Sequence, residues 1–208
     1  WSTSSMRCKS SRILPMSDDP VRTLLEPDAG CLDFQDYFVR LRCAPKVRQL
    51  TFLGADTARP LPEVMAALSS EDLRAVVICP SNPFLSIEPI LAIPAIRAAL
   101  SNCRAPVVAV SPIIGGQAVK GPTTKMMREL GFECGAAEVA RRYADLLDVF
   151  VVDKIDAATA VPAGIEVVSA PTLMTSIEDR ELLARAVLAA ADRATSRRAG
   201  SPYPAGVS

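Results

Sequence analysis

Two adjacent carboxylates and their polar neighbours form one group that could do chemistry. The segment "LPMSDDPVRT" contains Ser17, Asp18 and Asp19, followed by Arg22 and Thr23. Carboxylates can bind Mg²⁺ or accept a proton, and a guanidinium can bind phosphate through two parallel hydrogen bonds. The alternative is an Asp-Pro turn whose charges face water, with Arg22 paired to one of the acids.

A second group is typical of anion binding. In "VVAVSPIIGGQAVKGPTTK", Ser111 ends an apolar run, Gly115 and Gly116 follow, and Lys120 precedes Gly121. Glycines allow the backbone to approach a ligand closely, and exposed N–H groups can form a nest for an anion. This segment therefore predicts a phosphate-binding loop, although it is not a Walker A pattern.

The residues after Gly121 extend the same pattern. Thr123 and Thr124 offer hydroxyl groups near the start of a predicted helix, and Lys125 follows them. The positive end of a helix dipole also favours anions. The alternative is a flexible loop whose lysines are only solvated.

Polar side chains also follow another apolar run. In "VVICPSNPF", two prolines flank Ser81 and Asn82, and Ser86 follows shortly afterwards. Prolines fix φ and lack an N–H group, so these side chains would be held by a rigid frame. A tight turn in which Asn82 serves only as a turn residue is an equally good interpretation. Two such strand ends in one sheet favour a shared pocket.

Composition excludes several classes of site and partner. The chain has no histidine, which excludes Ser-His-Asp catalysis and His-ligated zinc within it. The six cysteines contain no C-x-x-C pair, so incidental thiols are favoured over a disulfide framework or a zinc site. The formal net charge is zero, so we expect no general nucleic-acid binding. The sequence contains no run of about 20 apolar residues, so it predicts no membrane span.

The elements that must position these groups alternate between strands and helices. The predicted strands, apolar on both faces, are 50–53, 75–79, 107–110, 149–152 and 165–168. The predicted helices are 33–42, 61–68, 89–100 with a kink at Pro94, 123–130, 136–147 and a last helix capped by Ser176 and Asp179. This alternation predicts a three-layer, Rossmann-like α/β fold with a mostly parallel sheet and helices on both faces. Ligands of such folds bind beyond the carboxyl ends of the strands.

Several of these motifs occur together in an order that resembles the 2-phospho-L-lactate transferase family of coenzyme F-420 biosynthesis. They are "LPMSDDPVRT", "QDYFVRLRC", "ICPSNPFLSIEPILAIP", "APVVAVSPIIGGQAVKGPTTKMM", "RYADLLDVFVVDKIDA" and "APTLM". The resemblance runs from about Arg12 to Ala194. It defines a predicted domain over residues 12–195, between a polar tail at 1–11 and a disordered tail at 196–208.

The resemblance implies a Mg²⁺-dependent transfer. Such enzymes move a phospholactate unit, or one derived from phosphoenolpyruvate or phosphoglycerate, from a guanosine diphosphate conjugate to the ribityl hydroxyl of a 5-deazaflavin, and GMP leaves. It also implies a cytoplasmic protein and a possible homodimer. Asp18 and Asp19 are then predicted to be catalytic and to bind the metal. The predicted substrate-binding residues are Ser17, Arg22, Thr23, Ser81, Asn82, Ser86, Ser111, Gly115, Gly116, Lys120 and Gly121.

The sequence departs from the family pattern at its amino end. Family members begin with a strand and a glycine-rich loop, whereas this chain begins with "WSTSSMRCKSS". We therefore expect a chain that lacks one sheet strand and part of the active site, with weak or no activity by itself and an exposed sheet edge. The alternatives are a regulatory relative that binds nucleotide sugars and an inactive fragment.

Overall fold

The short runs of β-branched residues form strands. The computed structural model describes residues 11–27, 30–119 and 121–200. Its strands are β1 (Arg22–Pro27), β2 (Leu32–Asp33), β3 (Val47–Leu53), β4 (Val76–Ile78), β5 (Val107–Val110), β6 (Ile113–Ile114), β7 (Gln117–Ala118), β8 (Val149–Val152) and β9 (Glu166–Ser169). Four of the predicted strands lie in one sheet, in the order β4-β5-β8-β9, and each neighbouring pair is parallel.

Helices cover both faces of this parallel sheet, so the predicted three-layer fold is confirmed. The helices are α1 (Pro62–Leu68), α2 (Glu88–Leu91), α3 (Pro94–Ser101), α4 (Thr123–Glu129), α5 (Ala136–Arg142) and α6 (Ile177–Gly200). α6 packs on one face through Leu183, Val187 and Ala190, and the other described helices pack on the opposite face. Every residue of β5 and β8 is buried, as expected for parallel strands between two helical layers.

The predicted strand 50–53 is confirmed as part of β3, but its expected place in the parallel sheet is wrong. β3 pairs antiparallel with β1, which also pairs with β2, in a separate three-stranded sheet. The apolar run at 50–53 was too short to identify its partner strand. It is also only the second half of a strand that begins with buried Val47 and continues through exposed Arg48 and Gln49.

Two predicted helices are shorter than expected. Instead of a helix over 33–42, the chain forms β2 and a π-helical turn over Asp36–Arg40. Phe34 and Phe38 still lie on one face, with ring centroids 5.5 Å apart. The predicted helix 136–147 ends as α5 at Arg142.

Prolines and a capping box fix other helix boundaries as the sequence predicts. The predicted helix 89–100 divides before Pro94 into α2 and α3, and the chain turns by 85° there, so the predicted kink is a full helix boundary. A proline suits the first turn of the second helix. Ser176 Oγ accepts a hydrogen bond from Asp179 N–H at 3.1 Å, and Asp179 Oδ2 accepts one from Ser176 N–H at 2.9 Å. α6 continues to Gly200, so the disorder predicted from residue 196 is wrong as far as residue 200. The rest of that tail, and residues 1–10 of the amino-terminal tail, lie outside the described residues.

No single helix in the described part of the chain is long and apolar enough to cross a membrane. One bent pair, Pro83–Leu91 and Pro94–Ser101, meets the length and composition limits together, with an angle of 85° between its halves. Leu91, Ile96 and Leu100 of this pair are buried in the protein core.

Candidate functional site

The ends of two neighbouring strands meet at one cavity. β4 and β5 are adjacent and parallel, so the segments that leave their carboxyl ends lie side by side. A cavity of about 410 Å³ is lined by Ser81, Asn82 and Ser86 from the first exit and by Ser111 and Gly121 from the second. The two exits therefore share a pocket, as the sequence predicts. Substrate binding by these residues stays a prediction.

Of the other lining residues, only Thr123 had a predicted role, as a hydroxyl near the anion-binding segment. Sequence reasoning did not assign the rest to the site, and they are Phe34, Phe38, Pro80, Leu85, Pro112, Val119, Pro122, Thr172 and Met174. The two phenylalanines follow β2, and Thr172 and Met174 follow β9 in the "APTLM" segment. These two segments are distant from each other in the sequence. The only sequence signals that they matter were the i,i+4 spacing of the two phenylalanines and the presence of "APTLM" among the motifs shared with the family.

Asn82 shapes the first exit as well as lining the cavity. Its Oδ1 atom accepts hydrogen bonds from Phe84 N–H at 2.9 Å and Leu85 N–H at 3.2 Å. Its amide nitrogen donates to Met126 Sδ at 3.7 Å. These bonds cap the π-helical turn Pro83–Ile87. Asn82 is therefore a turn residue, as the tight-turn interpretation of this segment expects.

Ser111 is likewise satisfied by its own turn. Its buried hydroxyl donates to Ile113 O at 3.0 Å and accepts from Ile113 N–H at 3.1 Å. By contrast, the side-chain hydroxyls of Ser81, Ser86 and Thr123 have no hydrogen-bond partner among the described residues. These three hydroxyls are therefore the groups that remain available to a ligand.

Asp153 holds the third side of the cavity. It follows β8, and its Oδ2 atom accepts hydrogen bonds from Thr172 N–H at 3.0 Å and Thr172 Oγ1 at 3.2 Å. The bond from the Thr172 backbone N–H keeps the pKa of Asp153 below its ordinary value, against the opposing effect of desolvation. The carboxylate thus ties the segment after β9, which carries Met174, to the end of β8.

Gly115 and Gly116 do not line this cavity. They form the two-residue turn between β6 and β7, with φ values of 56° and 74° that favour glycine. The Gly115 N–H donates to Asp156 Oδ2 at 2.9 Å, so a carboxylate occupies the amide predicted to bind phosphate. Lys120, the cation predicted for the same loop, lies outside the described residues.

The segment with Asp18 and Asp19 packs beside the residues that precede α1. Asp19 Oδ2 accepts hydrogen bonds from Arg59 N–H at 2.8 Å and from Arg59 Nε at 3.4 Å. Ser17 Oγ donates to Arg59 O at 2.6 Å and accepts from Asp19 N–H at 3.0 Å. The hydrogen bond from the Arg59 backbone N–H lowers the pKa of Asp19 most, and the hydrogen bond from the Arg59 guanidinium lowers it further. The partner of Asp19 is therefore Arg59 and not Arg22.

These acids do not assemble a metal site by themselves. No group of three His, Cys, Asp or Glu residues that could hold a metal occurs in the part of the chain that the structure describes. Asp18 is exposed, Asp19 is bonded to Arg59, and neither lines the cavity. Arg22 and Thr23 lie in β1 and do not line it either. Metal binding by Asp18 and Asp19 therefore stays a prediction.

A buried cation supports the first exit from behind. The guanidinium carbon of Arg142 lies 4.4 Å from the ring centroid of Phe84 and 4.6 Å from that of Phe132. Arg142 also forms ion pairs with Glu88 and Glu138. Burial raises the pKa of Glu88, while Arg142 acts in the opposite direction. Arg142 thus fixes the π-helical turn that follows Asn82.

Comparisons with known proteins show the family. A family model described as 2-phospho-L-lactate transferase CofD matches residues 2–173. The chain is 42% identical over 190 residues to a phosphoenolpyruvate transferase of Kitasatospora aureofaciens, covering 88% of this chain and 59% of the relative. It is 42% identical over 183 residues to a 2-phospho-L-lactate transferase of Methanosarcina mazei, covering 86% of this chain and 59% of the relative. The chain thus spans about three-fifths of the length of these relatives.

A solved structure shows the same fold. An X-ray structure of a Bacillus halodurans protein matches with a TM-score of 0.54 and 15% identity, covering 84% of this chain and 61% of that one. Because the identity is low, this likeness concerns the fold alone. The family model and the curated relatives carry the assignment: the chain belongs to the 2-phospho-L-lactate transferase family.

Proposed function

We propose that the chain provides the acceptor-binding part of a transferase of coenzyme F-420 biosynthesis. The transferred group is a phospholactate unit, or one derived from phosphoenolpyruvate or phosphoglycerate. Its donor is a guanosine diphosphate conjugate, and its acceptor is the ribityl hydroxyl of a 5-deazaflavin. Relatives with both transferase names match at 42% identity, so the family supports the reaction class and does not select the three-carbon acid.

One observation carries the assignment of the acceptor to the cavity. An apolar wall with two stacked phenylalanines, Phe34 and Phe38, faces a rim with three available hydroxyls, on Ser81, Ser86 and Thr123. No charged residue lines this cavity in the described ranges. A flat, uncharged ring with a polyhydroxyl chain matches that combination, because aromatic faces stack and hydroxyls exchange hydrogen bonds.

The proposed reaction needs positioning more than reactive side chains. The ribityl oxygen forms a bond to the phosphorus of the three-carbon unit, and the bond from that phosphorus to the bridging oxygen of GMP breaks. GMP leaves with the bonding electron pair, and the ribityl hydroxyl loses its proton. Phosphoryl transfer of this kind is accelerated mainly by alignment and by charge stabilisation, which is compatible with a chain that has no histidine.

A pair of titrations tests this function against the nucleotide-sugar alternative. The chain is titrated with a 5-deazaflavin and, separately, with a uridine diphosphate sugar, and heat or fluorescence is recorded. We expect saturable binding of the deazaflavin and none of the nucleotide sugar. The reverse pattern would favour the regulatory relative. Formation of equal amounts of GMP and of deazaflavin that carries the phospho-three-carbon unit, measured by mass spectrometry with the donor and Mg²⁺ present, tests the reaction itself.

A further inference from the structure

A second, more open cavity adjoins the first. It has a volume of about 400 Å³ and is lined by Phe38, Arg42, Cys43, Gly121, Pro122 and Lys125. Phe38, Gly121 and Pro122 line both cavities, so they form a shared wall. Ligands bound in the two cavities would therefore lie against the same wall.

The second cavity supplies the charge that the first one does not have. Arg42 and Lys125 are the only charged residues among the described residues that line either cavity. No carboxylate is among them, although Glu129 pairs with Lys125 from outside the lining. The Arg42 side chain has no hydrogen-bond partner in the described ranges, so its donors remain available.

Lys125 is fixed on the wall by three oxygen atoms. Its Nζ atom lies 2.6 Å from Glu129 Oε1, 2.9 Å from Pro45 O and 3.5 Å from Tyr37 Oη. The second oxygen of Glu129 accepts the Val47 N–H at 3.0 Å. These contacts attach the segment before β3, which carries Arg42, to α4.

The backbone at Arg42 has a costly conformation. Arg42 and Cys43 have φ values of 48° and 59°, in the left-handed region that side chains with a Cβ rarely adopt. Hydrogen bonds hold the turn, from Cys43 N–H to Tyr37 O at 2.8 Å and from Ala44 N–H to Leu41 O at 2.9 Å. The strained conformation persists because these hydrogen bonds hold the turn. The turn in this conformation places Arg42 at the second cavity.

We propose that the cavity lined by Arg42 and Lys125 is an anion subsite. It binds phosphoryl or carboxylate oxygens of the donor, beside the larger cavity that holds the uncharged acceptor, and a guanidinium suits such oxygens because its donors match them in pairs. This inference rests on the proposed function and adds residues to it. It assigns anion binding to a place other than the turn at Gly115 and Gly116.

Pyrophosphate titrations test the subsite with matched variants. Inorganic pyrophosphate is titrated into the wild-type chain and into the Arg42→Gln, Arg42→Lys and Arg185→Gln variants at low ionic strength. Glutamine has the same left-handed strain as arginine, whereas glycine would relieve it and confuse the comparison. Arg185 lies on the exposed face of α6, lines neither of the two cavities and serves as the control.

We expect Arg42→Gln to raise the dissociation constant by about tenfold, because a charge-assisted hydrogen bond is lost. Arg42→Lys keeps the charge and should raise it by only about threefold. Arg185→Gln should change nothing. Absence of pyrophosphate binding by the wild type would overturn the subsite, and so would equal binding by Arg42→Gln and wild type.

A neutral probe separates this inference from the proposed function. The 5-deazaflavin carries no phosphate, so its affinity should not change in Arg42→Gln. If the deazaflavin does not bind while pyrophosphate binding depends on Arg42, the subsite stands and the acceptor assignment fails. If the deazaflavin binds and pyrophosphate binding is independent of Arg42, the acceptor assignment stands and the subsite is wrong.

Discussion

At the scale of single residues, Arg142 shows how one side chain can hold a turn in place. Its guanidinium lies against Phe84 and Phe132, whose rings stack on each other, and it is paired with Glu88; the side chains of Arg142 and Glu88 are 18% and 20% exposed. Loss of the guanidinium would leave a mostly buried carboxylate without its partner. We expect Arg142→Met to lower the free energy of unfolding by about 3 kcal/mol, measured by urea denaturation.

Arg97 provides a matched control for this prediction. It forms a similar bidentate pair with Asp145, but the two side chains are 38% and 51% exposed. Arg97→Met should therefore lower the free energy of unfolding by less than about 1 kcal/mol. Equal losses for the two variants would show that stacking and burial around Arg142 do not matter.

Residue identities in the cavity could be predicted only in part. Ser81, Asn82, Ser86, Ser111 and Gly121 could be placed there because parallel strands end at one edge of a sheet. Their hydrogen bonds could not be predicted, since the partners that engage Asn82 and Ser111 depend on turn geometry. The occupation of the Gly115 amide by Asp156 depends on a contact across 41 residues, which no local pattern reveals.

At the scale of elements, the start of α6 depends on the charge of Asp179. Hydrogen bonds from the Thr175 side chain, and from the backbone of Thr175 and Ser176, lower the pKa of Asp179 to about 2 from its ordinary 3.8. A lowered folded-state pKa contributes stability that is present above pH 3.8 and is lost as the pH falls through about 2. We expect Asp179→Asn to lower the melting temperature at pH 6.

The pH dependence checks the cause of that loss. The difference in melting temperature between Asp179→Asn and wild type should shrink as the pH is lowered from 5 towards 2, because the wild-type carboxylate is then protonated as well. Glu181→Gln, on the exposed surface of the same helix, serves as the control. A difference that stays constant over this range would contradict the role of the charge.

Gly54, after β3, controls how closely the segment with Asp18 and Asp19 packs. A Cβ atom at Gly54 would lie 2.6 Å from Pro20 O, and the φ of Gly54 is 86°. Gly131 has a φ of 79° and nothing within 4 Å of such an atom. Gly131→Ala should lower the free energy of unfolding by about 1 kcal/mol, because only backbone strain is added. Gly54→Ala should lower it by about 3 kcal/mol, because the loop must also move. Equal unfolding free energies in urea would refute the close packing.

Elements of the parallel sheet could be predicted better than those of the antiparallel one. β5 and β8 occupy the predicted residues because they are buried on both faces and consist of Val, Ala and Phe. β1 was not recognised, because "RTLLEP" mixes charged and apolar residues along a half-buried strand. Its partner β3 was therefore placed in the wrong sheet.

At the scale of the whole molecule, the candidate site is the place where separate layers meet. The parallel sheet supplies the exits of β4 and β5, the stacked pair Phe34 and Phe38 follows β2 of the antiparallel sheet, and the segment after β9 supplies Met174. β4 is an edge strand of the described parallel sheet, and the cavity lies beyond its carboxyl end.

The measurement that tests the acceptor site most directly is deazaflavin binding by an isosteric variant. Thr123 is 1% exposed, and its hydroxyl has no described protein partner, so Thr123→Val should leave the melting temperature nearly unchanged. Thr124, its neighbour, does not line the cavity, and Thr124→Val is the control. We predict that Thr123→Val weakens deazaflavin binding by about fivefold and that Thr124→Val does not. Equal affinities in wild type and Thr123→Val, or no deazaflavin binding at all, would contradict the account.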